Sequence, residues 1–88
     1  MNEATFKLTG YIKSINAYNG FNSQYDFVVI KSEKFTTGVN VFDDVLMTQI
    51  EDREGELVTI NGTLSNYKTK KGEFRINFTA TDVSFRDD

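Results

Sequence analysis

Hydrophobic and polar residues alternate along most of this 88-residue chain, and a period of two predicts β-strands. The first such segment runs from Thr5 to Ile15, and its apolar face is made by Phe6, Leu8, Gly10 and Ile12. At Ile15 the alternation slips by one residue. A slip that follows an interior glycine predicts a β-bulge or a sharp bend, which curls a sheet toward a barrel.

Two more strands are predicted before the pattern changes. The Asn-rich segment Asn16–Gln24, which contains an Asn-Gly pair, predicts a turn or loop. The β-branched and aromatic content of Tyr25–Lys31 predicts a second strand, although its continuous apolar run leaves the inward face open. Ser32–Thr36 then predicts a hairpin loop, and Thr37–Phe42 predicts a third strand.

A short helix is predicted after the third strand. Asp44 is the predicted N-cap, and Val45, Leu46 and Ile50 recur at helical spacing before Gly55. The acidic residues near the predicted C-terminal end oppose the helix dipole.

Alternation then returns and predicts two final strands. Val58, Ile60, Gly62 and Leu64 share one face of the segment Glu56–Asn66, and Tyr67–Gly72 predicts a turn. In the last long strand, Glu73–Ala80, one face carries the apolar residues Phe74, Ile76, Phe78 and Ala80. The alternation then slips a second time before Val83 and Phe85.

The predicted order is three strands, a helix and two strands, within a single domain that spans residues 1–88. The segments Leu8–Ile12 and Ile60–Leu64 share an apolar-x-Gly-x-apolar pattern, and glycines at bends suit a small closed barrel. This chain resembles the oligonucleotide/oligosaccharide-binding (OB) fold, an all-β, five-stranded barrel with a short helix between strands 3 and 4. The resemblance rests on Leu8–Ile12, the hairpin Tyr25–Phe42, Val58–Gly72 and Phe74–Val83.

Within that fold, the chain is most similar to compact single-stranded-DNA-binding proteins of phages or mobile elements. The resemblance implies sequence-tolerant binding of single-stranded DNA in replication or recombination, with RNA left open as a partner. The loop between the last two strands and the loop after the first strand commonly line the ligand groove of such proteins.

Composition excludes most catalytic alternatives. The chain has no His and no Cys, so common zinc and iron–sulfur ligand sets and Ser-His-Asp or Cys-His machinery cannot be assembled. We therefore expect no enzyme activity, no cofactor and no metal site. No apolar run approaches a membrane span and no signal peptide is recognisable, so a cytoplasmic protein without membrane association is expected.

The formal net charge of −3 is unevenly distributed. Segment Tyr67–Arg75 carries four basic residues and one acid, while Asp43–Glu56 carries six acids and one base. Clustered Lys side chains beside an aromatic ring are the ingredients of single-strand binding. The candidate nucleic-acid-binding residues are Tyr11, Lys13, Tyr18, Phe21, Tyr67, Lys68, Lys70, Lys71 and Arg75.

Each candidate has a structural alternative. The Lys-rich turn is equally typical of a solvated hairpin tip, Phe21 could plug the barrel end, and Tyr11 could serve cross-strand packing. Phe35 and Phe42 are weaker binding candidates, while alternation places Phe6, Phe74 and Phe78 in the core. The acidic segment Asp43–Glu56 predicts a solvated face, or else a surface for a basic protein partner on an interaction module such as a phage-encoded inhibitor or adaptor. Exposed strand edges also leave a homo-oligomer open.

Overall fold

The computed structural model describes residues 4–20 and 24–86, and strands dominate this part of the chain. The elements are β1 (Thr5–Asn19), β2 (Gln24–Lys31), β3 (Thr36–Val41), α1 (Asp44–Ile50), β4 (Leu57–Lys68) and β5 (Phe74–Phe85). The strands close into a barrel in the order β1-β2-β3-β5-β4. β3 and β5 pair in parallel and the other pairs are antiparallel. The predicted five-stranded barrel with a short helix between strands 3 and 4 is confirmed.

Both predicted slips in alternation are irregularities in strand pairing. β1 pairs with β4 from Thr5 to Tyr11 and with β2 from Tyr11 onward, and its register shifts between Ile12 and Ser14. Lys13 is the extra residue at this shift. The second shift lies where β5 faces Asn61 and Gly62 of β4. These bulges bend the strands strongly enough for a small sheet to close on itself.

The barrel interior is apolar and is closed at one end by α1. Its buried residues come from every element and are Ile12, Val28, Ile30, Val39, Val41, Leu46, Ile50, Val58, Ile60, Ala80 and Phe85. Phe6 and Phe78 pack against this core and meet edge to face, with ring centroids 5.1 Å apart. The open question about β2 is resolved, since Val28 and Ile30 point inward.

The helix is capped one residue earlier than the sequence suggested. The Asp43 side chain, rather than that of Asp44, accepts hydrogen bonds from the backbone N–H groups of Val45 (2.8 Å) and Leu46 (3.2 Å). α1 ends at Ile50 and Glu51 is its C-cap, so the predicted opposition between acidic residues and the helix dipole is present at this end. No helix in residues 4–20 and 24–86 is long and apolar enough to cross a membrane.

Two predictions about the hairpins were wrong. Asn16 to Asn19 do not form a loop but continue β1, pairing with Gln24 to Phe27. Phe74, expected in the core, is 72% exposed, and Ile76 is 62% exposed. In both cases two antiparallel strands continue pairing beyond the end of the barrel. Their backbone hydrogen bonds persist there, but the side chains no longer face the barrel interior.

Candidate functional site

The outer surface of β1, β2 and β3 is formed by the residues that alternate with the core. On β2 these are Tyr25, Phe27 and Val29, which have the opposite phase to the buried Val28 and Ile30. Phe27 pairs with Asn16 on one side and with Asn40 on the other. The outer face of β2 is therefore mainly aromatic and aliphatic, with Asn16 and Asn40 on either side of Phe27.

Four aromatic side chains make a contiguous cluster on this surface, which we call the aromatic platform: Tyr18, Tyr25, Phe27 and Phe42. Tyr18 and Tyr25 are directly opposite across β1 and β2 and stack at 5.4 Å. Tyr18 meets the edge of Phe27 at 6.4 Å, and Tyr25 contacts Phe42 at 5.0 Å. Tyr18 and Phe42 remain about half exposed, at 48% and 50%. The rings thus offer apolar faces to a ligand.

The Phe27 ring lies across the sheet because its diagonal neighbour on β3, Gly38, has no side chain. Val29, the next outward residue of β2, pairs with Gly38, and a Cβ built at Gly38 would overlap the Phe27 ring. The Asn16 amide also donates to the Phe27 carbonyl at 3.3 Å. Strand pairing and the glycine gap together fix the ring orientation in advance of any ligand.

The β4–β5 hairpin carries the predicted basic residues. Its turn is held by three hydrogen bonds: Thr69 N–H to Glu73 O (2.8 Å), Gly72 N–H to Thr69 O (2.9 Å) and Glu73 N–H to Thr69 Oγ1 (3.2 Å). Gly72 has φ of +86°, a conformation that favours glycine. Lys70 and Lys71 are exposed at this turn. Local hydrogen bonds therefore define the turn that presents both ammonium groups.

The structure separates the hairpin candidates onto two faces. Tyr67 and Arg75 are directly opposite each other and share the outer face, whereas Lys68 and Phe74 share the reverse face. Arg75 forms an exposed ion pair with Glu73 at 2.9 Å, which contributes little stability and leaves other guanidinium donors for a ligand.

The aromatic platform and the outer face of the hairpin belong to one continuous surface. Asn40 of β3 pairs with Thr79 of β5, so Phe27, Asn40 and Thr79 form one row across three strands. Arg75 lies four residues along β5 from Thr79, on the same outer face of that strand. An extended ligand can therefore cross from the rings to the basic hairpin without leaving the surface.

The remaining candidates are placed differently. Tyr11 is 58% exposed on the outer side of β1. It lies opposite Lys31, which is four residues along β2 from Phe27. Lys13 is exposed at the β1 bulge, which projects it from the regular alternation. Phe21 lies outside the described residues.

Three platform residues were missed or undervalued by sequence reasoning. The unbroken apolar run of β2 concealed which of Tyr25 and Phe27 pointed outward, and Phe42 follows β3 directly. A usable signal was present in Gly38, since a glycine on a strand neighbouring an aromatic one commonly marks a ring laid across it.

The acidic residues lie on the opposite side of the β1–β2 ribbon. Ile15 and Asp26 point toward α1, away from Tyr18 and Tyr25, and with Met47, Glu51, Asp52 and Glu54 they line an open groove of about 580 Å³. We call it the acidic groove. Burial raises the pKa of Asp26 above its usual 3.8. No set of three or more acidic side chains in the described residues is arranged to hold a metal ion.

Comparison with known proteins identifies the fold. No protein-family model matches the chain, and no curated protein matches it by sequence. Three crystal structures of Rim1, a mitochondrial single-stranded DNA binding protein from S. cerevisiae, are similar with TM-scores of 0.84, 0.86 and 0.85. Their sequence identities are 17%, 18% and 16%, with 97–98% of this chain and 96–97% of those chains covered. At such low identity the likeness establishes a shared OB-fold barrel.

Proposed function

We propose that this protein binds single-stranded DNA with little sequence preference and has no enzymatic role. The observation that carries the proposal is the aromatic platform, whose rings lie on the same outer surface as Tyr67 and Arg75. Its support is that aromatic faces next to exposed cations are the two elements that single-strand binding requires. The shared fold with a mitochondrial single-stranded DNA binding protein adds to this support.

In this proposal, bases stack on the exposed rings of the platform. Tyr18, Phe27 and Phe42 supply faces, while Tyr25 lies between two of the other rings and holds them in place. Stacking is worth roughly 1–3 kcal/mol per base and tolerates any base, because every base has a π-face. Binding would therefore depend weakly on sequence.

Phosphates are neutralised at the hairpin end of the surface. Arg75, Lys70 and Lys71 meet the backbone there, with Tyr67 as a further stacking face. Tyr11 and Lys13 extend the path along β1, and Phe21 and Lys68 complete the set predicted from sequence. The acidic groove faces the other way, so its charge orients the strand onto the basic surface. A cytoplasmic role in protecting or presenting DNA during replication or recombination, as in a phage or mobile element, belongs to the same proposal.

The test is a titration of fluorescein-labelled oligo-dT at low salt, with Phe27→Ala and Phe42→Ala as separate variants. Each loss of a stacking face should weaken binding roughly 5- to 150-fold, the equivalent of 1–3 kcal/mol. Val45→Ala is the matched control, since this residue is 66% exposed on α1 and away from the platform. Thermal unfolding of every variant establishes that the barrel is intact.

Four outcomes distinguish the alternatives. Failure of the wild-type protein to bind oligo-dT at low salt would contradict the proposal. Equal loss of affinity in the Val45 control would show that the platform is not the binding surface. Tighter binding of oligo-U than oligo-dT would make RNA the partner, whereas binding of a basic protein alone would favour an interaction module.

A further inference from the structure

The reverse face of the β4–β5 hairpin exposes large apolar side chains to solvent. Phe74 and Ile76 continue the inward alternation of Phe78 and Ala80, yet they are 72% and 62% exposed because the barrel has ended. Beside Ile76, Leu64 lines a shallow hollow of about 360 Å³. Neighbouring apolar groups on a projecting arm mark a surface that another molecule covers.

The same face is rimmed by positive charge. Lys68 is directly opposite Phe74, and its Cε lies 3.8 Å from the position a Cβ would take at Gly72, so the side chain reaches toward the turn. Lys70 and Lys71 are exposed at that turn. A partner that covers the reverse face of the hairpin should therefore combine an apolar centre with an acidic rim.

The acidic groove of this same chain has that composition. Ile15 and Met47 provide apolar lining, while Glu51, Asp52 and Glu54 contribute carboxylates. Arg53, the one basic residue of the segment Asp43–Glu56, does not line the groove.

The geometry of Arg53 explains why it leaves the groove acidic. Its guanidinium lies 3.3 Å from the Glu56 carboxylate and 4.1 Å from the Phe85 ring centroid. The hairpin face and the groove are therefore complementary in both charge and apolar content.

The two surfaces lie at opposite ends of the molecule. β4 starts at Leu57, beside the end of the barrel that α1 closes, and runs 12 residues to the hairpin at Lys68. Such a strand is about 40 Å long, close to the largest molecular extent of 41 Å. One copy cannot fill its own groove with its own hairpin, and a hairpin-to-hairpin contact would bring like charges together.

We infer that the reverse face of the hairpin in one copy docks into the acidic groove of the next copy, giving head-to-tail chains. A contact between two different surfaces is heterologous, and it builds an open chain when the rotation does not close. The hairpin is a narrow arm, so the contact is small and association is expected to be weak. Tyr67 and Arg75, on the other face of the hairpin, stay uncovered, whereas Lys70 and Lys71 can meet either the groove or a phosphate but not both at once.

The test is analytical ultracentrifugation without nucleic acid, so its outcome is independent of the proposed DNA binding. Phe74→Ser with Ile76→Ser blocks the hairpin, and Glu51→Lys with Glu54→Lys blocks the groove. All four positions are exposed, and circular dichroism establishes that both variants fold. The wild-type average mass should rise with concentration without reaching a plateau, and high salt should reduce the rise.

The mixture of the two variants gives the decisive result. Each variant alone should remain monomeric, whereas an equimolar mixture should form dimers and stop at twice the mass of one chain. Glu33→Lys with Asp82→Lys makes the same change in charge at exposed acids outside the groove and should associate like the wild type. The inference is overturned by a wild-type protein that stays monomeric at millimolar concentration. It is also overturned by self-association of the groove variant, which indicates hairpin-to-hairpin contact, or by a mixture that stays monomeric.

Discussion

Individual glycines set how closely the strands approach. Gly62 is buried on β4, and a Cβ built there would overlap the Thr79 carbonyl oxygen and come within 2.6 Å of the Phe6 ring. The backbone of β5 is held by pairing along its length and cannot move away as a flexible side chain could. This position therefore differs from Gly38, where the three nearest atoms belong to the Phe27 side chain rather than to the backbone.

Gly62→Ala should destabilise the barrel by about 1–3 kcal/mol, the usual cost of overpacking a tight interior. Urea unfolding followed by circular dichroism measures the change in free energy. Ser65→Ala, at an exposed position on the same strand, is the control and should change stability by less than about 0.5 kcal/mol. A stability of Gly62→Ala equal to that of the control would show that β5 adjusts freely.

The Asp26 carboxyl gives the protein a residue-specific pH dependence. Burial raises its pKa in the folded state, so ionised Asp26 lowers the stability of the fold at neutral pH. This cost decreases as the pH falls through the raised pKa and is gone below 3.8, because the carboxyl is then protonated whether the chain is folded or unfolded.

Asp26→Asn should therefore be more stable than the wild type at pH 7, and the difference should vanish near pH 3. The measurement is the free energy of unfolding of both proteins in urea across that range. A difference that stayed constant with pH would mean that the substitution acts through packing rather than through charge.

At the level of elements, alternation predicted the strands well but could not show where the interior ends. Phe74 and Phe78 have the same phase on β5, yet only Phe78 lies over the barrel. Which of the two is buried depends on the length of β4–β5 pairing beyond the barrel, a tertiary property. The extension of β1 through Asn19 has the same origin, since Asn-rich composition was outweighed by pairing with β2.

The candidate surface was predictable only in part for a related reason. Tyr67 and Arg75 were predicted as candidates because the basic turn is local in sequence. The aromatic platform instead depends on lateral pairing, which brings Tyr18, Tyr25 and Phe42 together from three separate segments. No local pattern encodes which strands become neighbours in space.

At the level of the whole molecule, the net charge of −3 conceals two surfaces of opposite sign. Glu51, Asp52 and Glu54 face the groove beside α1, and the exposed cations Lys70, Lys71 and Arg75 project from the far end of β4 and β5. Exposed charges separated by more than about 10 Å are largely screened from one another at 0.1 M salt. The basic end can therefore attract phosphates despite the acidic average.

This separation predicts how proposed DNA binding responds to salt. The logarithm of affinity for a single strand falls with the logarithm of salt concentration by about 0.7 for each neutralised phosphate. Lys70→Ala combined with Lys71→Ala should reduce the steepness of this dependence by about 1.4. Titrations of a short oligo-dT at several salt concentrations between about 20 and 300 mM measure this slope.

Lys7→Ala with Arg86→Ala is the control. It removes the same charge from exposed positions elsewhere and should leave the slope unchanged. Equal slopes for both double variants would mean that the hairpin cations contribute only to the general field, and that phosphates are contacted elsewhere.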